Sequence, residues 1–333
     1  MSEKVFNFGI LGCGMIAGIH AMAINDLDGA RLLGVADHIP ERAECFASAH
    51  GVEGYNSYED MLSDPRIDIV CICTPSGFHA DNAIKAMEMG KHVVIEKPVA
   101  IDMKGADRVV ETCERTGKYL TVISQLRFSD DIVRVKRLIE ENAFGRISLC
   151  SLRMKYYRSP EYYMQSPWKG TKKFDGGGAL MNQGIHGIDL LQYLGGAVRS
   201  VQGRIGTLCH DIEVEDTAVA TLEFENGALG VIEASTCAYP GFDRKIEIHG
   251  DRGCVILSEK NIEKLIIDRR NVEVADFSES GTASDPSMLE SELHLRQLRS
   301  FIESIKCGGE ISSDCYDGRR AVDLIEKIYT SSV

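Results

Sequence analysis

A short glycine-rich turn near the start of the chain constrains the fold more than any other feature of the sequence. Residues 4–11 form an apolar run that predicts a strand, and the residues that follow the turn have the apolar spacing of a helix. The turn reads G-x-G-x-x-A, with Gly12, Gly14, Met15, Ile16 and Ala17 as candidate ligand-binding residues. Small residues here let a pyrophosphate approach the amides of a helix N-terminus, so the turn predicts a dinucleotide-binding site.

An acidic residue at the end of the second predicted strand favours the same interpretation. Asp37 follows the strand at residues 30–36 and lies 25 residues beyond Gly12. A carboxylate at this place can accept hydrogen bonds from the adenosine ribose and would repel a ribose phosphate. The next residue is His38 and not an arginine, so we expect both residues to contact the cofactor and NAD to be favoured over NADP.

Strands and helices continue to alternate up to residue 124, as a parallel sheet requires. Further strands are predicted at residues 68–73, 92–96 and 119–124, and helices at residues 40–50, 79–89 and 104–115. Thr74, Pro75 and His79 follow the strand at 68–73, and we expect them to line the far side of the cofactor cleft. His79 has a second interpretation, as a residue that simply begins the next helix.

The rest of the chain has a different pattern. After a helix at residues 130–142, short runs of alternating polar and apolar residues predict antiparallel strands. Helices are predicted at residues 175–194, 288–305 and 317–329. We therefore expect an α/β dinucleotide-binding domain over residues 1–124. An α+β domain over residues 125–333 should hold the substrate site and the oligomer contacts, with a terminal helix that could pack back on the first domain.

Composition and charge exclude several classes of protein. The 333-residue chain has 37 basic and 50 acidic residues, and its net charge of −13 disfavours nucleic-acid binding. No run of about 18 apolar residues and no signal-peptide pattern occurs, so we expect a cytoplasmic protein without membrane contact. The eleven cysteines are expected to be free thiols. No metal site is predicted, because Cys71 and Cys73 on one strand supply only two ligands.

Two further segments carry a family resemblance. Glu96-Lys97-Pro98 ends a predicted strand, and residues 176–189 read GGGALMNQGIHGID. With the glycine turn and the closing DGRRAVDLIEKIY, these segments resemble the Gfo/Idh/MocA family of nicotinamide-dependent oxidoreductases across essentially the whole chain. The resemblance implies a Rossmann domain followed by a large, open, mostly antiparallel sheet domain. It also implies action on a secondary hydroxyl of a sugar, cyclitol or nucleotide sugar, and dimers or tetramers formed through the second sheet.

Lys97 and His186 are the candidates for proton chemistry. Hydride transfer from a carbinol carbon needs one group that accepts the hydroxyl proton and one that stabilises the developing alkoxide. Lys97 ends a strand at the carboxyl edge of the sheet, where open α/β sheets place ligands, and we expect it and Glu96 to contact the cofactor. We interpret His186 as the proton acceptor and Lys97 as the hydrogen-bond donor to the same oxygen; the reverse assignment is open.

The second glycine-rich segment also predicts substrate contacts. Asn182, His186 and Asp189 are spaced i, i+4 and i+7, which on one helix puts them on one face. Many members of the family that this chain resembles have an aspartate at the position of Asn182. Because an amide is not a base, we expect Asn182 to orient a substrate hydroxyl. For Asp189, catalysis and hydrogen bonding within a buried helix are both open.

Other side chains are candidates for substrate binding. Tyr156 and Trp168 suit a polyol or a sugar face, with plain packing as the alternative, and Arg127 suits an anionic group, with a structural ion pair as the alternative. The leading hypothesis is an NAD-dependent dehydrogenase of a sugar or inositol-like cyclitol. The alternatives are a non-catalytic NAD-binding sensor and a nucleotide-sugar 3-dehydrogenase. The latter needs a basic diphosphate pocket, for which the candidates are Arg153, Lys155, Arg158, Lys169, Lys172 and Lys173.

Overall fold

The computed structural model describes residues 4–274 and 291–332, and the chain divides into two compact units. The first unit is Met1–Gln125 with Leu289–Arg319, and the second is Leu126–Met288 with Arg320–Val333. Each unit contains one sheet. Within the described ranges, no helix has the length and apolar character needed to cross a bilayer.

The first unit is built on a six-stranded parallel sheet with the order β3-β2-β1-β4-β5-β6. Its strands are β1 (Phe6–Leu11), β2 (Ala30–Ala36), β3 (Glu53–Gly54), β4 (Ile69–Ile72), β5 (His92–Ile95) and β6 (Leu120–Val122). Its first five helices are α1 (Met15–Asn25), α2 (Pro40–His50), α3 (Tyr58–Ser63), α4 (His79–Glu88) and α5 (Met103–Thr116). The predicted Rossmann sheet is confirmed.

Local sequence signals explain where these elements begin and end. All four residues of β4 are buried, which is why its sequence is continuously apolar and does not alternate. The Asp102 carboxylate caps α5 by accepting the Gly105 N–H at 2.7 Å. The same helix ends at Gly117, whose φ of 63° is the left-handed conformation that glycine adopts without strain.

The helix α10 (Glu292–Cys307) belongs to the first unit, although the sequence-based division places it in the second domain. Its Leu298, Phe301 and Ile302 are buried in the same core cluster as Phe8 and Ile10 of β1. The apolar stripe of α10 is visible in the sequence, but a stripe does not identify the surface that covers it. The predicted helix at 288–305 also includes residues 288–290, which lie outside the described residues.

The second unit contains an eight-stranded sheet with the order β14-β13-β12-β11-β7-β10-β9-β8. Its strands are β7 (Ile147–Lys155), β8 (Val198–Gly206), β9 (Thr217–Phe224), β10 (Leu229–Ser235), β11 (Lys245–Gly250), β12 (Gly253–Ser258), β13 (Asn261–Ile267) and β14 (Arg270–Asn271). Its helices are α6 (Asp130–Glu140), α7 (Pro160–Met164), α8 (Lys172–Asp175) and α9 (Ile185–Gly195), while α11 (Cys315–Ser331) has residues in both units. Among the described strands of this second sheet, only the β7–β10 pairing is parallel, so the predicted, mostly antiparallel sheet is confirmed.

Candidate active site

The carboxyl ends of three neighbouring strands define the candidate cofactor site in the first unit. β1, β4 and β5 are adjacent and parallel, so the turns at Gly12, Thr74 and Lys97 follow them at one edge of the sheet. From β1 the strand order runs outward through β2 and β3, and from β4 it runs in the opposite direction through β5 and β6, so the order reverses between β1 and β4. Open α/β sheets bind ligands at this edge, next to such a reversal.

The glycine turn leaves the start of α1 open. Gly12 has a φ of 93°, and a Cβ on it would lie 2.8 Å from the carbonyl oxygen of Cys73. A Cβ on Gly14 would meet nothing within 4 Å, and no side chain caps the helix that begins at Met15. The first amides of α1, those of Met15 and Ile16 among them, are therefore available to the pyrophosphate of NAD. The residues present fit the cofactor.

Asp37 is held against the same turn. Its carboxylate accepts the backbone N–H of Cys13 at 2.7 Å and that of Ile39 at 2.9 Å. The exposed ring of His38 lies beside it, with Nδ1 at 3.1 Å from Oδ1. Two amide donors leave lone pairs on this carboxylate for further hydrogen bonds, as the predicted ribose contact requires.

Glu96 and Lys97 follow β5, and the Lys97–Pro98 peptide bond is cis. The Lys97 side chain is half-buried, whereas Glu96 is buried. The Glu96 carboxylate lies 2.8 Å from Nε2 of His20 in α1 and 3.9 Å from Nε2 of His294 in α10. Lys97 is thus preceded by a buried carboxylate that lies near two histidines.

The charged groups of this cluster shift the pKa values of Glu96 and His20 so that both are ionised. Burial alone would lower the pKa of His20, but Cys73, Cys71 and Glu96 raise it well above its usual value. Burial alone would raise the pKa of Glu96, but His20 together with the charges of His294 and Lys97 lowers it to about 2. Near neutral pH, Glu96 is therefore an anion paired with a protonated His20.

His79 links two turns of the cofactor edge. The ring is buried, with Nδ1 at 2.6 Å from the carbonyl oxygen of Pro98 and Nε2 at 2.8 Å from that of Thr74. Burial lowers its pKa, so the neutral ring donates to only one of the two carbonyls at a time. Both ring nitrogens therefore face backbone carbonyls of the turns at Thr74 and Pro98, and His79 begins α4, as its second interpretation has it. The cofactor contact of His79 stays a prediction.

In the second unit, Asn182 and His186 do not share a helix. The predicted helix at 175–194 is replaced by α8, a run of turns, and α9, which begins only at Ile185. The buried Glu215 carboxylate holds these turns by accepting the N–H of Gly178 at 2.9 Å and that of Leu180 at 2.8 Å. The common helix face of Asn182, His186 and Asp189 is therefore wrong; only the last two lie on α9.

Asn182 is oriented by a second carboxylate. Its Nδ2 donates to Oδ1 of the buried Asp175 at 2.5 Å, and its Oδ1 accepts from Nε2 of Gln183 at 3.0 Å. Gln183 in turn accepts from Nε of Arg158 at 3.0 Å. This chain of hydrogen bonds fixes the amide, as a residue that orients a substrate hydroxyl requires. His186 is half-buried at the first turn of α9.

Arg127 and Asp189 form a buried ion pair. Nε of Arg127 donates to Oδ2 of Asp189 at 2.8 Å, and a second bond joins Nη2 to Oδ1. The guanidinium also lies 4.5 Å from the centroid of the Tyr193 ring. This fork engages the Nε–Nη2 edge of the guanidinium, so the structural ion pair, the alternative interpretation of Arg127, is present. The substrate contact of Arg127 stays a prediction.

Tyr156 is a core residue as well. Its buried hydroxyl donates to Oε1 of Glu259 at 3.2 Å, and Glu259 pairs with Arg244. Its polar atom serves this internal network, which fits the packing alternative, and the substrate contact of Tyr156 stays a prediction. Trp168 is half-buried, and its carbonyl accepts the hydroxyl of Thr171 at 2.7 Å.

The six basic candidates for a diphosphate pocket do not form one group. Arg153 and Lys155 pair on the sheet with Glu247 and Glu233, respectively. Two others meet at one aromatic ring: Nζ of Lys169 lies 3.8 Å, and the guanidinium carbon of Arg158 5.7 Å, from the centroid of Tyr162. Lys173 lies over its neighbour Phe174, and Lys172 is exposed in α8.

Sequence reasoning missed four residues of these sites. His20, His294, Gln183 and Glu215 act through partners that are distant along the chain. No motif or spacing in the sequence marks any of the four as part of a site. The one available signal was Glu96 itself, because a buried carboxylate at a strand end requires a partner.

Comparisons with known proteins agree with this geometry. Residues 6–124 match the oxidoreductase family with an NAD-binding Rossmann fold, and residues 132–256 match the GFO/IDH/MocA C-terminal domain. The chain belongs to the Gfo/Idh/MocA family of oxidoreductases. As predicted, it is an NAD-dependent dehydrogenase that acts on CH–OH groups.

Individual relatives act on different ring compounds. The chain is 32% identical over 257 residues to scyllo-inositol 2-dehydrogenase (NAD(+)) of Bacillus subtilis, covering 74% of this chain and 72% of the relative. It is 26% identical to myo-inositol 2-dehydrogenase of Thermotoga maritima, covering 95% and 93%. The solved structure of the WlbA dehydrogenase from Bordetella pertussis, in complex with NADH and UDP-GlcNAcA, is 32% identical with a TM-score of 0.88, covering 99% and 97%.

Proposed function

We propose that this dehydrogenase transfers a hydride between a ring secondary hydroxyl of a sugar or cyclitol and NAD. The observation that carries the proposal is the position of Lys97, directly after β5 and at the same sheet edge as the open glycine turn after β1. A half-buried ammonium group at this edge suits the oxygen of a reacting carbinol. The inositol dehydrogenases among the relatives support the substrate class.

Each polar residue then has a role. Bound NAD supplies the hydride acceptor. His186 accepts the hydroxyl proton, and Lys97 donates a hydrogen bond to the oxygen as it becomes an alkoxide. Asn182, fixed by Asp175, orients a neighbouring substrate hydroxyl. The alternative assignment exchanges the roles of Lys97 and His186.

A nucleotide sugar is the second candidate substrate. The observation that favours it is the approach of both Arg158 and Lys169 to the Tyr162 ring, within the network that reaches Asn182. Two cations near an aromatic ring suit a diphosphate and a base or sugar face. The likeness to a WlbA complex with UDP-GlcNAcA points the same way.

The test is NADH formation with NAD and a panel of cyclitols, free sugars, glycosides and nucleotide sugars. We expect turnover with one cyclitol or sugar class, and its loss with retained NAD binding in His186→Ala. His249→Ala, a histidine of β11 in the same unit, is the matched control and should keep full activity. Turnover with nucleotide sugars alone would establish the second candidate. NAD binding without turnover on any class would instead favour the sensor.

We also propose that the chain forms a homodimer or homotetramer through its second sheet. Leu149, Val219 and Leu229 are 45%, 49% and 61% exposed, respectively. The strand register puts all three on the same face, because Leu229 pairs with both Leu149 and Glu223, and Glu223 faces the same way as Val219. Exposed apolar side chains grouped on one sheet face are typical of an association surface.

A further inference from the structure

A cluster of metal-ligating side chains lies in the second unit, outside the residues assigned so far. The sulfur atoms of Cys209 and Cys237 and a carboxylate oxygen of Asp216 all lie within 4.8 Å of one another. The ring of His210 joins them, with Nδ1 at 3.5 Å from Sγ of Cys237 and at 3.3 Å from Oδ2 of Asp216. Thiolate, imidazole and carboxylate are the donors that Zn²⁺ prefers in proteins.

The separations of His210 Nδ1 from Cys237 and from Asp216 match those of a tetrahedral zinc site, and the sulfur of Cys209 lies within 4.8 Å of the ligand atoms of Cys237 and Asp216. Zinc binds sulfur at about 2.3 Å and imidazole nitrogen or carboxylate oxygen at about 2.0 Å, so neighbouring ligand atoms of a tetrahedron lie about 3.3 to 3.8 Å apart. The two distances from Nδ1 of His210, 3.5 Å to sulfur and 3.3 Å to oxygen, fall within that interval.

The second nitrogen of His210 supports a ligand role for the first. Nε2 lies 2.8 Å from the carbonyl oxygen of Arg158 and donates its proton there. Metal-binding histidines usually donate their other ring N–H to a carbonyl or carboxylate, which fixes the tautomer and leaves the opposite lone pair for the metal. In His210 that lone pair is on Nδ1, which faces Cys237 and Asp216.

The backbone holds the four residues in place. Asp216 begins the segment that enters β9, and its buried carboxylate accepts the N–H groups of Leu208, Cys209 and His210 at 2.8–2.9 Å. The loop that follows β8 is therefore wrapped around this carboxylate. Cys237 follows β10, and its N–H donates to Oγ of Ser235 at 3.0 Å. Cys209 is exposed, which provides a path for an ion to enter.

We propose that Cys209, His210, Asp216 and Cys237 bind one Zn²⁺ ion as a structural site. The ion joins the loop after β8 to the end of β10 and, through His210, to the backbone of Arg158. The ring of Tyr163, 4.9 Å from that of His210, lies against the same site. Zinc therefore stabilises the segment that leads to the proposed substrate residues without touching the reacting atoms.

The test uses the full chain without a polyhistidine tag, purified in a reducing buffer. We expect one zinc per chain by elemental analysis after dialysis. Substitution with Co²⁺ should give thiolate charge-transfer absorption and the intense visible bands of a tetrahedral ion. Added Zn²⁺ should displace the Co²⁺ and remove both absorptions. Zinc should also raise the melting temperature of the wild-type chain, because it binds the folded state.

Variants separate this site from adventitious binding. Cys237→Ser and Cys209→Ser should lose the cobalt charge-transfer bands and weaken zinc binding by more than about 100-fold, since losing even an outer partner costs about 10- to 100-fold. Cys45→Ser, at an exposed thiol of α2, is the matched control and should bind zinc like the wild type. Circular dichroism checks that each variant folds. Absence of zinc and of cobalt–thiolate absorption in the reduced wild type would overturn the proposal, as would unchanged binding in Cys209→Ser, whose exposed side chain leaves the fold intact.

Discussion

Glu96 supplies a buried negative charge at the cofactor edge of the first unit. Its carboxylate is buried directly before Lys97 and meets His20 and His294, which come from α1 and α10. A buried anion is tolerated only where cations and donors surround it. The same partners therefore stabilise the core of the unit and hold the strand end from which Lys97 projects.

Glu96→Gln should lower the free energy of unfolding by about 3 kcal/mol near neutral pH, because it leaves His20 buried without its anion. The lowered pKa of Glu96 stabilises the fold above its ordinary value of 4.5, and this is lost as the pH falls towards about 2. The raised pKa of His20 stabilises the fold below 6.5, and this is lost as the pH rises through the raised value. Urea unfolding across pH measures both effects.

The matched control for this prediction is Glu59→Gln. Glu59 is an exposed carboxylate paired with Lys85, and its pKa is also lowered by that partner. Water screens such a pair, so its loss should be much smaller than that of Glu96. Equal losses in the two variants would contradict the stabilising role of the buried cluster.

The buried ion pair of Arg127 and Asp189 should stabilise the second unit. Asp189→Asn should destabilise the chain by about 3 kcal/mol, because a buried guanidinium loses its charge partner. Asp268→Asn removes an exposed partner of Arg252, at 3.1 Å, and should have a far smaller effect. If Asp189→Asn unfolded at the wild-type urea concentration but raised the KM for substrate, Arg127 would be a substrate residue after all.

Among the secondary-structure elements, the glycine-rich turn at residues 176–178, which follows α8, depends on close packing. A Cβ on Gly178 would lie 1.9 Å from the carbonyl oxygen of Glu215, and that backbone cannot yield without moving the start of β9. Gly178→Ala should therefore displace the turn that carries Asn182. We expect a loss of at least about 2 kcal/mol in unfolding free energy, within the range for a buried clash.

Gly18→Ala is the control for Gly178→Ala. Gly18 lies within α1, and a Cβ there would meet nothing within 4 Å. Alanine favours helix, so this variant should be more stable than the wild type by about 0.5–1 kcal/mol. A Gly178→Ala chain as stable as Gly18→Ala would show that the turn is not held by close packing.

Elements with a strong local pattern could be predicted from the sequence. β4 and the turn at Gly12 follow from continuous apolar residues and from small residues at fixed spacing. The helix predicted through Asn182 failed because the carboxylate of Glu215, 33 residues away, satisfies the amides of the turn instead. Local propensity cannot report a side chain that comes from another strand.

The candidate site was predictable to a similar extent. Lys97 and Asp37 lie at strand ends, where the topology alone places ligands. Arg127 and Tyr156 have side chains that suit a substrate, but in the fold they hydrogen-bond to Asp189 and Glu259, respectively. These contacts exist only in the folded chain, so the sequence does not reveal them. Cys209 and Cys237 likewise have no metal-binding spacing, because the loop after β8 and the end of β10 bring them together.

At the scale of the whole molecule, the second sheet should be an interface between copies of the chain. Light scattering coupled to size exclusion should give a dimer or tetramer. Val219→Glu and Leu229→Glu together place two carboxylates on the exposed face and should dissociate it. The same change at exposed Met22 of α1 should leave the assembly intact. A wild-type monomer would contradict the proposed interface.

Lys97 should act on the reacting oxygen of the substrate during NAD-dependent hydride transfer. The most direct measurement is steady-state NADH formation by the wild type and Lys97→Met on the active substrate, beside NADH binding by each. We predict a loss of about 100- to 10,000-fold in kcat/KM, far larger than the loss of NADH affinity that the removed cofactor contact causes. Turnover by Lys97→Met at the wild-type rate would show that Lys97 does not act on the reacting oxygen.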